Sequence, residues 1–169
     1  MLLLFRPPWT EGKRYGRQRT MTISSSPMDA RTLIERLGLE PHPEGGWYRE
    51  TWRAPVTKGE RAIATAIHFL LEQGQRSHWH RVDATEIWLW HAGSPLHLLT
   101  APDETGPVEE RLLGGDVLAG QVPQHVIAPD HWQAAEARLG WALVSCIVAP
   151  AFEFSGFELT PAGWSPQRQ

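Results

Sequence analysis

From about residue 47 onwards the chain consists of short apolar segments separated by turn residues. These segments are rich in β-branched and aromatic residues and recur roughly every 8–12 residues, with Gly, Pro and Asp between them. The segments are WYRETWRA, RAIATAIHFLL, EIWLWHAG, LHLLTA, HVIAP and WALVSCIVAP. Short strands with frequent turns are typical of a β-sandwich or β-barrel. The sequence therefore predicts an all-β domain.

One helix is predicted ahead of the strands. Leu33, Ile34 and Leu37 fall on one helical face, and Gly38 is placed to end the helix. The preceding Ser26-Pro27-Met28-Asp29 stretch suits a helix start, with Ser26 as the capping residue.

Length and charge limit the possible classes of protein. The chain has 169 residues, enough for one domain with a sizeable core, and a net charge of -3. The positive charge is concentrated in residues 1–26, so the remainder is acidic, which argues against nucleic-acid binding. We expect a flexible extension over 1–27, with translation starting at Met1, Met21 or Met28, a folded domain over 28–163 and a tail over 164–169.

The sequence favours a cytoplasmic protein that does not enter a membrane. No stretch approaches the roughly 18–20 consecutive apolar residues of a membrane span, and the opening MLLLF is too short for the core of a signal peptide. A single cysteine, Cys146, cannot form an internal disulfide, which fits a reducing compartment.

The strongest candidate site lies in the segment SHWHRVDATEIWLW. Because side chains alternate along a strand, His78 and His80 are predicted to face the same way. A hairpin turning at residues 82–85 would then bring Glu86 close to His80.

Two kinds of chemistry fit this group. Two imidazoles and a carboxylate on one face can hold a divalent metal ion through His78, His80 and Glu86. Without a metal, a histidine paired with a carboxylate is a general base held in the required tautomer. Trp88 and Trp90 share the face of Glu86, where indole rings could form apolar walls of a ligand pocket.

Five stretches together resemble, in order, the cupin-5 family. They are LIERLGLEPHPEGGWYRETWRA, SHWHRVDATEIW, HAGSPL, VPQHVIAPDHWQAA and VAPAFEFSGFEL, and the resemblance covers about residues 32–160. It implies a double-stranded β-helix, the cupin jelly-roll barrel, usually dimeric and similar in shape to the dTDP-sugar epimerases. It implies no settled reaction.

The resemblance also implies site residues. Cupins with a complete metal set carry a final histidine where this chain has Gln133, and glutamine is a poor ligand for transition metals. The family pattern retains His80 and Glu86, with His78 and Gln133 as extra ligands. It places Tyr48 and Glu50 in the pocket or at a dimer contact.

Three functions follow as expectations. The first is a metal-independent isomerase or epimerase that acts on a small sugar-like or acid-like molecule. In this enzyme His80 would remove a proton from the substrate, and Glu86 would orient the His80 ring. The second is a metal-dependent oxygenase or lyase, and the third is a ligand-binding module without catalysis. In each case the expected partners are a small molecule and a second copy of the chain.

Overall fold

The computed structural model describes residues 29–167. The extension predicted for residues 1–27 therefore lies outside the described part. The bounds of the elements are α1 (Ala30–Leu37), β1 (Glu40–Pro41), β2 (Trp47–Arg53), β3 (Thr65–Leu71), β4 (Arg76–Val82), β5 (Thr85–Gly93), β6 (Leu96–Ala101), β7 (Glu109–Leu113), β8 (Gln124–Ile127), β9 (Trp132–Glu136), β10 (Ala142–Ala149) and β11 (Phe157–Leu159). Two short 3-10 helices cover Val117–Ala119 and Phe154–Gly156.

The helix α1 begins and ends at residues suited to those positions. Asp29 is the N-cap, and its carboxylate accepts a hydrogen bond from the backbone N–H of Thr32 at 2.7 Å. Gly38 ends the helix in the left-handed conformation, with φ of 62°. Asp29 thus caps the helix in place of Ser26, which lies outside the described residues.

The strands form two sheets. The six-stranded sheet has the order β1-β2-β3-β10-β5-β8, and the five-stranded sheet has the order β11-β4-β9-β6-β7. Every pair of neighbouring strands is antiparallel. The apolar inner faces of the two sheets share one core, as in a jelly-roll barrel. This confirms the predicted all-β class with a helix ahead of the strands.

The barrel interior is packed with apolar side chains at one end and contains a cavity at the other. The inward residues of β10 pass from Ala142 and Val144, which pack in the apolar core, to Val148, which lines a cavity. Cys146 belongs to both regions. One end of the barrel is therefore filled with side chains, and the other encloses space.

The chain changes sheets between β4 and β5. The sequence predicted a hairpin here, but β4 lies in the five-stranded sheet and β5 in the six-stranded sheet. The turn is where predicted, at Asp83 and Ala84, and Ala84 is buried. The hairpin prediction was wrong because this short turn joins strands across the barrel instead of within one sheet. His80 and Glu86 consequently face the interior from opposite walls.

The packed structure extends past residue 163. The ring of Trp164 lies 4.7 Å from that of Trp132, and Pro166 is fully buried. No helix within residues 29–167 is both long enough and apolar enough to cross a membrane.

Candidate functional site

A cavity of about 340 Å³ opens between the two sheets at one end of the barrel. Its walls are mostly aromatic and aliphatic, and most of its charged or ionisable groups are glutamates and histidines. The lining residues are His42, Glu44, Tyr48, Glu50, Arg53, Thr65, Ile67, Phe69, His80, Val82, Glu86, Cys146, Val148, Phe152, Glu153, Phe154 and Phe157. An enclosed apolar space with a few converging polar groups is the usual form of a ligand site.

Glu44 reaches the cavity from the loop between β1 and β2. The backbone N–H of His78 donates to the Glu44 carbonyl at 2.7 Å and ties this loop to β4. Gly45 follows with φ of 106°, and a Cβ there would lie 2.2 Å from the Arg76 carbonyl oxygen. Only glycine lets the backbone approach so closely in this conformation. The loop therefore holds the Glu44 side chain against the barrel wall.

The Glu44 carboxyl meets two imidazoles inside the cavity. Ser77 Oγ donates to Glu44 Oε1 at 2.9 Å, while Oε2 lies 3.4 Å from both His42 Nδ1 and His80 Nε2. Burial raises the pKa of Glu44 from 4.5 to about 7, against the opposing influence of His42 and Ser77. Both the protonated and the ionised forms of this carboxyl are therefore accessible near neutral pH.

His80 is held in one tautomer. Its Nδ1 lies 2.8 Å from the His78 carbonyl oxygen, which can only accept a hydrogen bond, so Nδ1 carries the proton. The unprotonated Nε2 then faces Glu44. Burial lowers the pKa of His80, and the nearby Glu86 carboxylate opposes that shift. At neutral pH this imidazole is a neutral base beside an acid.

Glu86 is fixed by a chain of buried hydrogen bonds. The indole N–H of Trp88 donates to Gln133 Oε1 at 2.9 Å, and Gln133 Nε2 donates to Glu86 Oε2 at 2.6 Å. Because an indole can only donate, Trp88 fixes the orientation of the Gln133 amide. Burial raises the pKa of Glu86, and the neighbouring His80 opposes the rise.

The side chains around Glu86 do not form the metal site found in cupins with a complete set of metal ligands. Gln133 presents its N–H to Glu86, and its oxygen is already bound to Trp88. The position of the final ligand thus holds a hydrogen-bond donor, which cannot coordinate a cation. No three His, Cys, Asp or Glu side chains within residues 29–167 are arranged to hold a metal ion.

His78 does not join the site. A β-bulge shifts the register of β4 against β9 between Ser77 and His80, so these two residues point inward while His78 lies in a separate surface cleft. The prediction that His78 and His80 share a face was wrong, because a bulge adds a residue and breaks the two-residue alternation.

The other predicted residues lie at different depths. Tyr48 and Glu50 line the cavity, and the Tyr48 ring is 4.6 Å from that of His42. Trp88 and Trp90 face inward with Glu86, as predicted, but they pack in the apolar core and do not line the cavity. Gln133 is fully buried behind Glu86.

Sequence reasoning missed residues that carry the site. Glu44 and His42 lie in a loop whose sequence is typical of a turn. Phe157, at the start of β11, has its ring centroid 5.5 Å from that of His80. The Gly-Gly pair after Glu44 was the available signal, since two adjacent glycines indicate a close backbone approach.

The comparisons with known proteins agree with this architecture. Residues 31–160 match the family model described as Cupin superfamily (DUF985). The chain belongs to this cupin family. A structure from Shewanella oneidensis is 36% identical, with a TM-score of 0.74, and the match covers 79% of this chain and 85% of that one. A hypothetical protein from Leishmania major is 31% identical, with a TM-score of 0.72 and coverage of 81% and 90%.

More distant structures share the cupin fold. Oxalate decarboxylase from Bacillus subtilis is 15% identical, with a TM-score of 0.54, and the match covers 70% of this cupin chain and 29% of that enzyme. At this identity the likeness extends to the fold alone, because cupin barrels host unrelated reactions. No curated protein matches the chain in sequence.

Proposed function

We propose that this cupin domain binds a small polar molecule in its cavity and moves protons to and from it without a metal, as an isomerase or epimerase does. The observation that supports the proposal is the pairing of His80 Nε2 with the Glu44 carboxyl at 3.4 Å, both buried and both facing the cavity. Burial raises the pKa of Glu44 to about 7 and keeps His80 unprotonated by lowering its pKa, and an acid beside a neutral imidazole base is suited to general acid–base catalysis.

The proposed steps balance within these two residues. His80 Nε2 accepts the proton from the carbon next to a substrate carbonyl, and the electron pair moves to the carbonyl oxygen. The Glu44 carboxyl donates its proton to that oxygen and gives an enol. Return of the proton from His80 to the former carbonyl carbon, while the Glu44 carboxylate removes the proton of a hydroxyl group on the first carbon, yields an isomer and restores both residues. An epimer forms when the enol turns over in the cavity, so that His80 returns the proton to the opposite face of the first carbon and Glu44 takes back the enol proton.

Glu86 supports the base without taking part in the transfer. Its negative charge raises the pKa of His80, and the bond from Gln133 fixes its position. This agrees with the orienting role that the sequence suggested for Glu86, but it adds Glu44 as the acid. A metal-dependent oxygenase or lyase is less well supported, because the amide N–H of Gln133 occupies the final ligand position.

Deuterium exchange tests the proposal even while the product is unidentified. The protein would be incubated in D₂O with neutral aldoses, ketoses, hydroxyketones and amino sugars, and ¹H NMR would follow the loss of C–H signals next to the carbonyl. Exchange in one compound class is expected, with a loss of at least about 100-fold in Glu44→Gln and His80→Gln, since general acid–base groups typically contribute 10²–10⁴-fold.

The surface pair His97 and Glu110 provides a matched control. These side chains contact each other on the outside of the barrel, so His97→Gln alters a histidine–glutamate pair away from the cavity. This variant should exchange deuterium like the wild type. Exchange that survives in both cavity variants would refute the proposed roles, and ligand binding without exchange would indicate the non-catalytic binding module.

A further inference from the structure

The polar lining of the cavity is dominated by carboxylates. Four glutamates line it: Glu44, Glu50, Glu86 and Glu153. In the described part of the chain, Arg53 is the one Lys or Arg residue in this lining. Its guanidinium binds Glu50 through two hydrogen bonds of 3.1 and 2.8 Å and also donates to the Phe152 carbonyl. The positive charge of Arg53 is therefore already neutralised.

Of the two buried glutamates in this lining, Glu44 and Glu86, only Glu44 has ion-pair partners. Glu86 is 6% exposed and lines the cavity, but it forms no ion pair inside residues 29–167. Its bond from the neutral Gln133 amide supplies no charge. A positive partner favours the ionised form of a buried carboxylate, and the cavity leaves space for one beside Glu86.

Three phenylalanine rings cluster in the lining of this space. Phe152, Phe154 and Phe157 all line the cavity, with ring centroids 5.1, 5.7 and 6.1 Å apart and interplanar angles of 81°, 65° and 86°. The three ring planes are thus steeply inclined to one another and pack edge to face. Phe154 is 60% exposed, so its ring is accessible to a ligand in the cavity. Ring faces attract cations through their quadrupoles.

We infer that the cavity takes a positively charged ligand, a small ammonium compound such as an amino sugar or a methylated amine. The inference deepens the proposed function and rests on it in one respect, namely that this cavity is the ligand site. An ammonium group would lie on the cavity side of the phenylalanine cluster, where cation–π contact and the attraction of the Glu86 carboxylate act together. A carboxylate or phosphate would instead meet like charges with no free guanidinium to bind it.

Choline and its neutral isostere 3,3-dimethyl-1-butanol separate charge from shape. Isothermal titration of the full chain should show that choline binds at least about tenfold more tightly than the isostere, the ratio that about 1.4 kcal/mol of cation–π and charge attraction produces. Acetate should bind more weakly than either. Equal affinity for choline and the isostere, or tighter binding of acetate, would overturn the inference.

Two variants test whether the preference for choline over its neutral isostere arises in this cavity. Phe154→Leu and Glu153→Gln should each weaken choline binding several-fold and leave binding of the isostere unchanged, because each removes a cation-attracting group at an exposed position. Glu104→Gln, on the surface beside Arg81, is the matched carboxylate control and should have no effect on choline. Unchanged choline affinity in both cavity variants would show that the cation binds elsewhere and would overturn the inference.

The outcomes also separate this inference from the proposed function. Choline binding with the expected preferences requires no turnover, so it would stand even if no compound exchanged deuterium and the proposed reaction failed. Conversely, deuterium exchange on a neutral or acidic compound, abolished in Glu44→Gln, would support the proposed reaction while refuting a cationic substrate.

Discussion

Replacing Glu44 by glutamine should make the protein more stable at alkaline pH. The buried carboxyl has a pKa of about 7 in the folded protein, compared with an ordinary value of 4.5. Glutamine keeps the shape of the protonated acid, because its oxygen can accept from Ser77 and its N–H can donate to His80 Nε2. The variant therefore retains the contacts of the neutral form and cannot acquire the buried charge.

The magnitude follows from the change in proton affinity. The folded state holds its proton up to about pH 7, whereas the unfolded chain releases it near 4.5. Between these values the folded state binds more protons, so the free energy of unfolding falls as the pH rises. Each tenfold change in proton affinity corresponds to about 1.4 kcal/mol. The free energy of unfolding therefore falls by on the order of 3 kcal/mol as the pH rises from below 4.5 to above 7. This is a large fraction of the stability of an ordinary domain.

Urea unfolding between pH 5 and pH 8 would measure the difference. Relative to the wild type, Glu44→Gln should be more stable by about 1 kcal/mol at pH 5, and this difference should grow to about 3 kcal/mol by pH 8. Glu158→Gln, which changes an exposed carboxylate paired with Arg81, is the control and should follow the wild-type pH profile. Parallel pH profiles for Glu44→Gln and the wild type would refute the reasoning.

Three further predictions concern the interior and the assembly. Gln133→Leu leaves the Trp88 indole N–H and the Glu86 carboxylate without their hydrogen-bond partner. Urea unfolding should show that the free energy of unfolding falls by about 2–5 kcal/mol. A decrease of less than about 1 kcal/mol would show that these hydrogen bonds are not needed for stability. Cys146 is buried and its thiol pKa is raised by burial, so Ellman's reagent should label it only as the protein unfolds, and rapid labelling of the native protein would contradict this. We also propose the homodimer that the sequence suggests, and a monomeric mass by light scattering at micromolar concentration would rule it out.

Much of the fold could be predicted because local patterns encode it. Apolar segments with β-branched residues became strands such as β3, β5 and β10, and Gly38 ended the helix as expected. Strands β1, β7, β9 and β11 were missed, because EP, EERLL, WQAAE and FEL are too short or too poor in β-branched residues to show a strand pattern. They form only because the neighbouring strands offer hydrogen-bonding edges.

For the site, the sequence determined that His80 and Glu86 turn inward, and the tertiary structure determined which other side chains meet them. Alternation placed His80 and Glu86 in the interior, but the bulge that excludes His78 depends on the pairing of β4 with β9. Alternation also says nothing about depth along the barrel, so it could not separate Trp88 in the core from Glu86 at the cavity. The acid beside His80 is Glu44, 36 residues earlier in the chain. Such a contact depends on how distant segments pack, which no local pattern records.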